Sequence, residues 1–199
     1  MRIGLLGGSF NPAHDGHRHV ARLALRRLRL QQVWLLVSPG NPLKPRHGMA
    51  PFADRLATAR RIADGRRVVA TDIERRLGTR YTVDTLRALN RLFPRVEFVW
   101  VMGADILAEL PKWRQWREMF HRTAMAVFPR PGYNRRALAG RAALRMRRHH
   151  RRAREAPALA SMRRPAWLFL PAPQTAISAT ALRNALYSPP SATIKGPRR

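Results

Sequence analysis

The 199-residue chain has no cysteine, which excludes disulfides and thiolate metal sites. Acidic residues are scarce: 11 Asp+Glu stand against 39 Lys+Arg, a formal net charge of +28. That balance favours anionic partners, whether nucleotides, RNA or an acidic surface. No apolar run reaches the roughly 18–20 residues that a bilayer span needs. The opening RIGLLGG breaks at glycine too early for a signal peptide, so a soluble, cytoplasmic protein with no membrane partner is expected. Aromatic residues are also few, at 8%. None falls in the arginine-rich stretch RAALRMRRHHRRARE (141–155), which argues against a base-stacking surface. This stretch, extended to 141–164, reads as a solvated basic segment peripheral to the site, and nucleic acid is not the expected partner.

What the chain does have is 45% hydrophobic residues, ordinary for a globular protein with one core. The runs IGLL, VWLLV, VVA, VEFVWVM, AMAVF and WLFL read as strands, several of them unbroken rather than alternating. Unbroken apolar strands are buried on both faces, as in a parallel sheet covered by helices. Helical patterns lie between them at 17–30, 51–62, 82–93 and 104–110. In the first, Val20, Leu23, Ala24 and Leu28 keep the spacing of one buried face. The expected fold is α/β: Rossmann-like, doubly wound, with a mainly parallel sheet and helices on both faces. A single domain over 1–187 is expected, and the proline-rich 188–199 reads as a disordered tail.

Ligands on such sheets bind beyond the carboxyl ends of the strands. There the chain reads GGSFNPAHDGH. Gly7 and Gly8 let backbone approach a ligand closely, and His14 and His17 flank a glycine at a helix start, where free amides favour an anion. A metal pair and a plain structural loop are the alternatives, and phosphate contact leads. His19 and the pair His149–His150 read as solvent-facing. Near the other end, TAISATALRNAL places Ser178 as a helix cap, with Thr180 in the first turn and Arg183 one turn on, a second setting for phosphate.

Together, His14-Asp15-Gly16-His17 and the closing Ile177–Arg183 stretch resemble the H-x-G-H and I-S-x-T-x-x-R motifs of the nucleotidyltransferase superfamily. The interior segments NPLKP, RYTVDTL, VMGADILAELPKW and PRPGY narrow the likeness to the bacterial nicotinate-nucleotide adenylyltransferases. The resemblance implies transfer of AMP from ATP to nicotinate mononucleotide by direct in-line attack, giving nicotinate adenine dinucleotide and pyrophosphate in NAD biosynthesis. It implies that His17 and His14 are catalytic, and that Gly8, Ser9, Phe10, Lys44, Ser178, Thr180 and Arg183 join them in binding ATP. Thr82, Gly103, Asp105 and Trp113 would hold the acceptor. Mg²⁺ would arrive with ATP, with no dedicated protein cage. A sister adenylyltransferase for nicotinamide mononucleotide or phosphopantetheine is the nearest alternative, and a basic RNA-binding module is the alternative of another class. One departure is Arg114, which follows Trp113 where a second aromatic residue is expected.

Overall fold

The computed structural model describes residues 1–40 and 48–172. Seven strands form one wholly parallel sheet: β1 (Arg2–Gly8), β2 (Gln32–Val37), β3 (Val68–Thr71), β4 (Glu97–Gly103), β5 (Ala124–Phe128), β6 (His150–Arg151) and β7 (Trp167–Phe169), in the order β3-β2-β1-β4-β5-β7-β6. All six expected strands are present. Their unbroken apolar runs have a direct cause, because alternate residues enter two different cores. Leu6, Val33, Leu35, Val99 and Val101 face one side, where they meet α1 (Asp15–Arg27) and α2 (Phe52–Ile62). Leu5, Leu36, Phe98, Trp100 and Met102 face the other, against α4 (Thr82–Leu92), α5 (Ala104–Glu109) and α6 (Trp116–Arg122). A sheet covered on both faces admits apolar residues at every position.

Four short helices escape the sequence pattern: α3 (Ile73–Arg76), α6, α7 (Asn134–Leu138) and α8 (Arg141–Arg145). Each has too few turns for a 3.6-residue period to register, and such helices depend on packing rather than on propensity. The first expected helix is also displaced. It begins at Asp15 and ends at Arg27, with Arg29 in the left-handed region at φ 49°.

The basic segment 141–164 is more deeply embedded than a peripheral segment would be. Ala142, Ala143 and Met146 enter one core, while Ala156, Leu159 and Ala160 enter the other. Its β6 closes the sheet beside β7, and the His150 ring lies 4.3 Å from that of Trp167. Arg141, Arg145, Arg147, Arg148, Arg152 and Arg154 remain exposed around this apolar framework. The expected tail lies outside the described residues.

Candidate active site

The strand order reverses between β1 and β4, and the crevice at their carboxyl ends is where an open parallel sheet presents a ligand site. The loop leaving β1 is bound to its surroundings through side chains. Phe10 is buried in the left-handed region, at φ 47°. Asn11 donates to the Gly48 carbonyl at 2.9 Å and accepts from the Ala50 amide at 3.2 Å. Arg55, on α2 and only 3% exposed, donates to the carbonyls of Ser9 and Ser38, each at 2.7 Å, and of Ala50 at 3.0 Å. One buried guanidinium thereby ties the loops after β1 and β2 together. Thr58 adds a bond from the Ala13 amide at 3.1 Å.

This loop delivers His14 and His17 to the start of α1. His14 is the cap itself: its Nδ1 accepts from the Gly16 amide at 3.1 Å, and its own amide donates to His17 Nδ1 at 3.2 Å. The His17 amide donates to the His14 carbonyl at 2.9 Å. The first-turn amides expected to be free for an anion are therefore partly spent on the cap. The imidazoles take over that role. With Nδ1 accepting on both rings, each neutral ring carries its proton on Nε2, as a donor. The rings stand 3.9 Å apart, and Phe10 packs on His17 at 4.8 Å. Burial, with the His14 ring and Arg130 nearby, pushes His17 down to about 3, and burial and Arg130 lower His14 as well. Both rings are uncharged at neutral pH, so they act as hydrogen-bond donors rather than cations.

Beyond β4, Gly103 caps α5 and leaves room for the Asp105 carboxylate, with which an added Cβ would collide. Asp105 meets Arg130 Nε at 3.9 Å. Arg130 follows β5, and its amide donates to Asn134 Oδ1 at 2.8 Å, which holds the loop before α7. Its positive charge helps to lower both His14 and His17.

On the opposite flank of β1 lies a cavity of about 410 Å³, lined among others by Gly8, Ser9, Tyr81, Thr82, Trp100 and Trp113. Trp113 meets Trp100 edge-on at 6.4 Å. The Trp100 indole N–H is buried with no partner among the described residues. Arg114 places its guanidinium 4.8 Å over the Tyr81 ring, so the position expected to be aromatic carries a cation stacked on an aromatic neighbour.

The structure thus brings Gly8, Ser9, Thr82 and Trp113 around one cavity, sets His14 and His17 at the helix start, and puts Gly103 and Asp105 beside Arg130. Phe10 is a buried support for His17. Lys44, Ser178, Thr180 and Arg183 lie outside the described residues. One expectation changes: His19 is half-buried, its Nε2 without a partner among the described residues, rather than solvent-facing. Arg55 joins the site as a support that no motif in the sequence signals.

The cytidylyltransferase-like family model matches residues 5–185. A protein of Gluconobacter oxydans, named "Probable nicotinate-nucleotide adenylyltransferase", is 62% identical over 184 residues, covering 92% of this chain and 94% of its own. A second of the same name, from Gluconacetobacter diazotrophicus, is 63% identical over 182 residues, covering 92% of this chain and 85% of its own. Among solved structures, a Plasmodium falciparum nicotinic acid mononucleotide adenylyltransferase complexed with NaAD shares the fold, with a TM-score of 0.68 at 16% identity, over 92% of this chain and 82% of that one.

Proposed function

The chain belongs to the nicotinate-nucleotide adenylyltransferase family of cytidylyltransferase-like proteins, and from that premise we propose that it transfers AMP from ATP to nicotinate mononucleotide in the cytoplasm, releasing pyrophosphate. The observation that carries this reading is the pair of neutral imidazoles at the switch point, both with Nδ1 occupied by backbone amides. Such rings offer Nε2–H donors to a phosphate without becoming acids or bases. In-line attack of the acceptor's phosphate oxygen on the α-phosphorus needs no proton from the protein. What it needs is alignment of two anions and stabilisation of the charge that gathers on the α-phosphate and the leaving pyrophosphate.

His17 and His14 supply donors to that charge, and the backbone of Gly8 and Ser9 lets the polyphosphate lie close to β1. Lys44, Ser178, Thr180 and Arg183 are assigned to the ATP phosphates on their motifs alone. Arg130, between the histidines and Asp105 in its electrostatics and its ion pair, faces both substrates and suits a phosphate of either. Gly103 and Asp105 are assigned to ribose hydroxyls, with the carboxylate as acceptor. Trp113 supplies a ring face to the pyridine, and Thr82 supplies a hydroxyl and an amide to its carboxylate. Among the described residues no three His, Asp or Glu side chains cluster to hold a metal. Mg²⁺ would come in on the ATP phosphates with water completing its shell, and would neutralise charge on the leaving group.

Pyrophosphate release from Mg–ATP with three acceptors tests the proposal. Nicotinate mononucleotide should be used well ahead of nicotinamide mononucleotide and phosphopantetheine. Faster release with phosphopantetheine, or none with any acceptor, would overturn it.

A further inference from the structure

Glu74 is the one carboxylate among the described residues lining the cavity, where it stands with Arg80, Lys112 and Arg114. It is 8% exposed and forms an ion pair with none of them. Its Oε1 accepts from the Thr85 hydroxyl at 3.2 Å, and that hydroxyl lies 2.8 Å from the Thr79 hydroxyl. The Glu74 carbonyl accepts from the Thr79 amide at 3.0 Å. Glu74 therefore grips both ends of 79–85, the stretch that carries Arg80, Tyr81 and Thr82 into the cavity wall. A buried carboxylate whose one side-chain partner among the described residues is a neutral hydroxyl is poorly compensated, and the carboxylic acid is the favoured form.

We infer that Glu74 determines acceptor specificity: a carboxylate-bearing acceptor binds with Glu74 protonated, and an ionised Glu74 turns the preference toward the carboxamide analogue. The inference rests on the function proposed above and deepens it. A protonated carboxyl has an O–H to donate to an anion. An ionised one repels that anion and accepts from an amide N–H instead. Burial raises Glu74 to about 7, against the smaller opposing effect of the Thr85 bond, so the change of form falls near neutrality. The charged and titratable groups around it are Arg75 and Arg76 on its own helix, Arg80 and Tyr81 before α4, and Lys112 and Arg114 across the cavity.

The two mononucleotides carry the same phosphate, so the ratio of their kcat/KM values cancels substrate ionisation. In the wild-type protein the ratio of nicotinate to nicotinamide mononucleotide should fall about tenfold from pH 6 to 8.5, through KM rather than kcat. In Glu74→Gln, which cannot ionise, the ratio should be flat. A flat wild-type ratio, or the same fall in Glu74→Gln, overturns the inference while leaving the proposed function standing. No turnover of either acceptor by the wild type overturns both. Should Glu74→Gln fail to fold, calorimetry of the wild type at pH 7.5 in buffers of different ionisation enthalpy decides. Nicotinate mononucleotide should take up about half a proton or more beyond the nicotinamide compound, and equal uptake overturns the inference.

Discussion

The two flanks of the β1 carboxyl end hold their polar groups by opposite means. On the α1 flank, polar atoms are fixed by the backbone: His14 and His17 by a reciprocal cap, the loop beneath them by Asn11 and Arg55. On the cavity flank, the wall is built of aromatic faces and a buried carboxyl, those of Trp113, Tyr81 and Glu74. The first flank suits a ligand of constant charge, such as a polyphosphate. The second can respond to the charge of what enters it. Pre-organised donors cost nothing to reorient during reaction, whereas an adjustable group confers selectivity.

The sharpest break in that comparison comes from His17→Ala. Loss of one donor aimed at developing charge should lower kcat about 10²- to 10³-fold, with the fold retained by circular dichroism. Steady-state pyrophosphate release checks it, and near-normal turnover would remove the histidine from the reaction. The same substitution should change the acceptor KM far less, because the proposed function puts the acceptor ring on the other flank.

How much of this could be read beforehand follows from where each signal resides. The strands were legible because burial on both faces leaves long apolar runs, such as EFVWVMG in β4. The H-x-G-H stretch was legible as chemistry, but its capping was not, since histidine is not an ordinary cap and the bond exists only once His14 adopts φ −148°. Arg55 looks like any solvated arginine in FADRLATARRI, and only the carbonyls of Ser9 and Ser38, distant in sequence, give it a role. Glu74 in TDIERR looks like surface charge until α4 closes over it. Arg130 sits in the quoted PRPGY, yet its proximity to the histidines depends on β5 lying two strands from β1.

Arg55→Leu tests the rigid flank. It leaves the part-buried carbonyls of Ser9, Ser38 and Ala50 without their donor and should cost about 1–3 kcal/mol of stability, read as a lower urea midpoint. The KM for ATP should rise as the loops after β1 and β2 come apart. An unchanged midpoint would mean that the Asn11 and Thr58 contacts hold the loop without Arg55.

The pH dependence of stability separates the flanks further. His17 lies at about 3 in the folded chain against an ordinary 6.5, so its contribution is present above 6.5 and is lost as pH falls toward 3. Glu74 lies at about 7 against an ordinary 4.5, so its contribution is present below 4.5 and is lost as pH rises to 7. The two groups close a stability window from opposite sides, each by a few kcal/mol. Glu74→Gln should gain about 2–3 kcal/mol on the wild type between pH 4.5 and 8, measured by urea unfolding at both values. A constant difference would show that Glu74 keeps an ordinary titration.

Trp113→Ala should have the smallest effect, an increase of about tenfold in acceptor KM, or about 1.4 kcal/mol. Trp113 meets Trp100 edge-on at 6.4 Å, so its removal leaves the buried Trp100 in place and subtracts one wall of the cavity rather than part of the core. Trp113→Phe should restore most of the binding, because the role proposed for Trp113 needs only a ring face. If both variants bind the acceptor as the wild type does, the selectivity of the cavity flank rests on Tyr81, Thr82 and Glu74, and the contrast between the two flanks narrows to one of titration alone.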